Sequence, residues 1–129
     1  MARRTSPRPT DAELEILSVL WERGPGTVRE IQAALRPLRD SGYTTVLKLL
    51  QIMVEKGLVE RDASTRAHCY RPAQAKESVQ RRLVGDLLQR AFGGSAQDLM
   101  MRALASKSVS PDELARIRER IEELEEDAR

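Results

Sequence analysis

The chain has 129 residues, of which 40% are hydrophobic, 33% charged and only 3% aromatic. That length allows one domain, or a small domain with an oligomerisation arm, and its core must be built from Leu, Ile, Val, Met and Ala. Short apolar runs broken by charge exclude a transmembrane span, and the single cysteine excludes an internal disulfide.

The net charge of +2 hides an asymmetry. Residues 1–72 hold twelve Lys and Arg against nine Asp and Glu, and residues 73–129 hold ten against eleven. The first part is therefore the more basic one, as a phosphate-facing part would be. Residues 1–9 carry Arg3, Arg4 and Arg8 among Ser and Pro. They read as a flexible basic arm, either solvated or groove-binding, without the apolar stretch of a signal peptide. The expected compartment is the cytoplasm.

The first helix is expected over 11–23. Thr10 and Glu13 form a capping-box pattern, and Leu14, Leu17, Leu20 and Trp21 share one face. Gly24-Pro25-Gly26 stops it. A second capping box, Thr27 with Glu30, opens a helix whose stripe is Val28, Ile31 and Leu35, and Pro37 ends it. A third helix is expected over 43–56, with Val46, Leu49, Leu50 and Met53 inward and Gly57 as its C-terminal glycine. The three helices should follow one another through short connectors.

The period then changes. Residues 58–61 and 67–71 read as two strands around a polar turn, with Pro72 closing the hairpin. Cys69 reads as a small strand residue and His68 as a polar one. Three helices followed by a hairpin make a winged helix-turn-helix, expected over 10–72.

Residues 73–129 read as wholly helical. Val79, Leu83, Leu87 and Leu88 line one side of a helix over 76–92, which Gly93-Gly94 breaks. Ser95 caps a short helix carrying Leu99, Met100, Ala103 and Leu104. Ser110-Pro111-Asp112-Glu113 opens the last helix, whose Leu114, Ile117, Ile121 and Leu124 make a seam of about two heptads. Such a seam is too short to stand alone, and a second copy of the chain is the economical partner. The fold class is mainly α: a winged helix followed by a helical dimerisation domain. The expected dimerisation residues are Val79, Leu83, Leu87, Leu88, Leu99, Leu104, Leu114, Ile117, Ile121 and Leu124.

The functional signal lies in Gly42-Tyr43-Thr44-Thr45-Val46-Leu47-Lys48. A recognition helix places short hydroxyl side chains and a cation at the N-terminal turn that enters the major groove. Thr44, Thr45 and Lys48 fall opposite the apolar stripe, so Tyr43, Thr44, Thr45 and Lys48 are candidate DNA contacts; the alternative is that Tyr43 and Thr44 merely cap the helix. Arg61 and Arg66 at the wing are candidate phosphate or minor-groove contacts, the alternative being solvated hairpin charges, and Arg29 near the start of the second helix is a candidate phosphate contact. No catalytic triad, phosphate loop or metal-spaced cluster is present, so no enzyme, cofactor or metal site is expected. The acidic run from Glu119 to Asp127 reads as a solvated face. A winged helix that binds proteins without touching DNA is the alternative function, and a hydrolase is remote.

Several of these strings carry a family resemblance. Thr10-Asp11-Ala12-Glu13-Leu14-Glu15-Ile16-Leu17, Leu20-Trp21 and Thr27-Val28-Arg29-Glu30-Ile31 resemble the opening of the BlaI/MecI penicillinase-repressor family, which also includes CopY-type copper repressors. Tyr43-Thr44-Thr45-Val46, Leu50 and Lys56-Gly57-Leu58-Val59 resemble its recognition-helix signature. Phe92-Gly93-Gly94-Ser95, Leu99 and Ser110-Pro111-Asp112-Glu113-Leu114 resemble its dimerisation region. The resemblance implies a homodimeric repressor on a palindromic operator, in a role such as the antibiotic response. It also implies a membrane metalloprotease sensor that triggers cleavage of an Asn-Phe bond, for which this chain has Arg102-Ala103. CopY-type members carry a C-terminal cysteine cluster, and this chain has only Cys69. Where the family often has a basic residue late in the recognition helix, this chain has Ile52.

Overall fold

A computed structural model describes residues 8–64 and 66–129. The arm expected over 1–9 therefore lies largely outside the described residues, as does Thr65 of the hairpin turn. In chain order the elements are α1 (Asp11–Arg23), α2 (Val28–Leu35), α3 (Tyr43–Lys56), β1 (Val59–Asp62), β2 (Cys69–Pro72), α4 (Lys76–Phe92), α5 (Ala96–Ala105) and α6 (Pro111–Asp127).

Local chemistry sets most of these boundaries. The Thr10, Thr27 and Ser110 hydroxyls accept from the amides of Glu13, Glu30 and Glu113, whose carboxylates accept from the cap amides in return. Each box satisfies donors that the first helical turn would otherwise leave orphaned. At the end of α3, Gly57 adopts φ 78°, a left-handed conformation that favours glycine.

The chain divides into two compact units at Leu83–Val84. In the first, Ile16, Leu17, Leu20, Ile31, Leu35, Val46, Leu50, Met53, Leu58, Val59 and Tyr70 form one buried core. That core joins α1, α2, α3 and the hairpin as a winged helix-turn-helix. It also takes in Val79, and Leu83 packs against it. These two residues of the expected dimer stripe are thus occupied within their own chain.

The hairpin is antiparallel, with Val59 opposite Pro72 and Arg61 opposite Tyr70. Both strands lie later than the sequence pattern places them. Pro72 does not close the hairpin but pairs within it, and His68 precedes β2 rather than lying in it. Gly26 exchanges backbone hydrogen bonds with Tyr70, at 2.8 and 3.0 Å. The segment that stops α1 therefore also serves as a one-residue third strand.

The link from α2 to α3 covers residues 36–42, which take in the stop at Pro37 and lead to the start of α3 at Tyr43. It is held by the Arg39 amide donating to Leu35 O (2.8 Å), by Gln32 Nε2 donating to Ser41 O (3.1 Å), and by an Arg39–Glu15 ion pair at 2.6 Å. A second ion pair joins α1 to the end of α3. Lys56 Nζ lies 2.8 Å from Glu13 Oε1, and the two side chains are 13% and 3% exposed.

The second unit continues α4 past a break at Gly93 and Gly94, with φ 55° and 85°, into α5 and α6. Neither α5 nor α6 buries a single residue within the chain. Among the described residues, no helix is long and apolar enough to cross a membrane.

Candidate nucleic-acid interface

The site is built on the N-terminal half of α3. The inward residues Val46, Leu50 and Met53 are fully buried, which fixes the rotation of the helix about its axis. With 3.6 residues per turn, that rotation turns Thr44, Thr45 and Lys48 outward, and all three are exposed. The N-cap of α3 is Gly42, and no side chain caps it. Tyr43 and Thr44 are therefore not the N-cap of α3, and neither side chain is used in capping it.

Tyr43 is occupied in another way. The Arg29 guanidinium sits 4.9 Å from the centre of its ring, a cation–π contact from the first turn of α2 to the first residue of α3. Such a contact at an exposed position contributes about 0.5–1 kcal/mol, enough to restrain a long side chain without neutralising it.

Beside this pair opens a cleft of about 270 Å³. Thr27 and Arg29 of α2, Tyr43 and Leu47 of α3, and Arg66 and His68 of the hairpin turn are among its walls. The three elements meet because the Gly26–Tyr70 bonds tie the hairpin to the start of α2. Three candidate contacts, Arg29, Tyr43 and Arg66, are thus brought together, with Thr44, Thr45 and Lys48 on the adjoining face of α3. Arg61 is not brought there. It is exposed on β1 and does not line the cleft, while Arg71 is paired with Glu60 at 3.0 Å.

Among the wall residues the sequence reading missed are Thr27 and His68. Thr27 was legible only as a cap, and His68 only as a strand residue. Its place two positions after Arg66, before a strand that starts at Cys69, could have signalled the same side of the turn. Two carboxylates on the elements that frame the cleft are held below their ordinary range. For Glu30 the first cause is the hydrogen bond from the Thr27 amide, with the Arg23 charge adding to it. For Asp62 it is the bond from the Ser64 amide, assisted by Arg71. Both act locally to shape a cap and a turn. Among the described residues no group of His, Cys, Asp or Glu is placed to hold a metal ion.

A family model described as penicillinase repressor matches residues 9–123. The chain belongs to the penicillinase repressor family. Members of this family are transcriptional repressors, not enzymes. The transcriptional regulator BlaI of Mycobacterium tuberculosis is 35% identical over 127 residues, covering 97% of this chain and 89% of that protein. The penicillinase repressor of Bacillus licheniformis is 21% identical over 117 residues, 91% of each chain. The methicillin resistance regulatory protein MecI of Mammaliicoccus sciuri is 17% identical over 109 residues, covering 84% of this chain and 89% of that protein. The penicillinase repressor match spans both compact units.

The other expected site residues lie beyond the hairpin. Val79 is buried in the first unit, with Leu83 against it. Leu88, Leu99, Leu104 and Ile117 are half-buried, and Leu87, Leu114, Ile121 and Leu124 are exposed. Arg102 and Ala103 lie in α5, and both are exposed.

Proposed function

We propose that the chain is a cytoplasmic transcriptional repressor that binds a palindromic operator as a homodimer. Residues 10–72 meet the DNA and residues 73–129 join the two copies. The observation that carries this reading is the exposed Thr44, Thr45 and Lys48 face of α3 beside the cleft holding Arg29, Tyr43 and Arg66. It combines a groove-sized helix with base-reading side chains and cations able to meet flanking phosphates. The names of the relatives, a transcriptional regulator and a penicillinase repressor, support the same reading.

The helices of the second unit support the dimer. Leu114, Ile121 and Leu124 lie at helical spacing on α6 and remain 36–51% exposed in one chain. A two-fold axis between two such arms presents identical α3 helices to inverted half-sites, with centres about 10 bp apart or a multiple of that. Release from the operator follows any event that separates the arms, including proteolysis near Arg102 and Ala103 by a membrane metalloprotease sensor.

The test is a titration of labelled duplex DNA with the full chain across a salt series. Operator binding predicts affinity that falls steeply with salt as condensed counterions are released. A chain that ignores duplex DNA while binding a protein partner would favour the protein-interaction reading of the same fold.

A further inference from the structure

Beyond Lys48 the outward face of α3 continues for two more turns with Gln51, Ile52 and Glu55, all exposed. Gln51 lies three residues after Lys48 and Ile52 four, so they flank the same outward line one turn further on. From Thr44 to Gln51 the helix rises about 10 Å, a run of a few base pairs in a major groove. Among the described residues nothing engages the Gln51 carboxamide. Ile52 is 37% exposed on a polar face, although Val46, Leu50 and Met53 already supply the buried side of the helix.

We propose that Gln51 and Ile52 set the operator sequence this chain prefers, Gln51 by reading an adenine and Ile52 by packing on a thymine methyl. The inference rests on the DNA-binding reading and adds the bases to it. A carboxamide offers one acceptor and one donor side by side, which match the N6 amino group and N7 of adenine. An aliphatic side chain has no hydrogen bond to give, and the C5-methyl of thymine is the apolar feature of the groove. Glu55 bears on the choice between base and backbone. A carboxylate one turn on from both residues repels phosphate, so this end of the face suits base edges rather than the DNA backbone.

The test is selection of bound duplexes from a randomised pool by the full chain, by Gln51→Ala and by Ile52→Ala. Both positions are on the surface, and matching thermal melts establish that the variants fold. The parent should enrich an adenine and a thymine at fixed places in each half-site. Gln51→Ala should lose about 5- to 150-fold of the discrimination at the adenine alone, and Ile52→Ala should lose preference at the thymine alone. Unchanged base preferences in both variants, or equal weakening on every sequence, would overturn the proposal and leave DNA binding intact. A parent chain that binds no duplex would overturn both.

Discussion

Gly26 and Tyr70 exchange both backbone hydrogen bonds, and that exchange fixes the wing against the start of α2. Tyr70 is 2% exposed, so its side chain anchors in the core while its backbone holds the connector. The cleft walls of α2 and the hairpin turn keep their spacing through this tie together with the shared core.

Gly26→Ala should loosen the connector that carries this tie. A methyl group on Gly26 would collide with the Arg23 guanidinium, which donates to Gly24 O (3.1 Å) and Pro25 O (2.8 Å). The side chain can swing away, losing those two bonds, at a cost of about 1 kcal/mol. A thermal melt followed by circular dichroism should fall by about 4–8 °C. An unchanged melt would mean that Arg23 does not brace the connector.

The Glu13–Lys56 pair is nearly dry, and Glu13 Oε1 also accepts from the Thr10 amide at 3.0 Å. Removing the cation strands a buried carboxylate, so Lys56→Met should cost about 3–5 kcal/mol in denaturant unfolding. Adding Glu13→Gln keeps the capping acceptor and removes the charge. The double variant should therefore be more stable than Lys56→Met alone; equal or lower stability would contradict the pairing.

The capping carboxylates give the stability a defined acid limit. Glu30 is lowered first by its bond from Thr27, and Glu113 first by its bond from Ser110, with Lys107 and Arg116 adding to the latter. A carboxylate whose folded pKa is depressed contributes stability above its unfolded pKa, about 4.3 for glutamate, and loses it as pH falls through the lower folded value. Melts from pH 5 downward should decline, and Glu30→Gln with Glu113→Gln should decline less steeply than the parent. Parallel declines would remove these caps from the account.

Much of the fold was legible because its punctuation is local. Thr10, Thr27, Ser110 and Gly57 each specify a boundary within a few residues, and the helices begin and end there. The hairpin slipped because strand limits come from pairing, and Val59 opposite Pro72 is not a composition signal. The Gly26–Tyr70 exchange and the Glu13–Lys56 pair join residues far apart in sequence, so neither could be read from a window. The same limit applied to α4. Its stripe of Val79, Leu83, Leu87 and Leu88 is visible in sequence, but the surface it covers is not, and Val79 and Leu83 turn onto the first core. The α3 candidates were legible because helical spacing alone separates Lys48 from Leu50. The meeting of Arg29 with Tyr43 needed the tertiary structure.

The dimer proposal is tested on residues that the winged-helix core does not use. Leu87, Ile121 and Leu124 are exposed, so replacing all three with Lys leaves that core untouched. Sedimentation at micromolar concentration should show a dimer for the parent and a monomer for the variant. Affinity for a palindrome should then fall by orders of magnitude toward that for a half-site, because the second α3 loses its effective concentration. A monomeric variant that still binds the palindrome as tightly as the parent would break the link.

The central claim is that the outward face of α3 meets DNA, and Lys48→Ala in the salt-series titration tests it most directly. If Lys48 reads a base, the substitution should cost about 1–3 kcal/mol on the preferred sequence and relax specificity there. If it meets a phosphate, affinity should fall evenly across sequences and the salt slope should shrink by about one. Unchanged affinity together with an unchanged salt slope would contradict the placement of α3 in the groove.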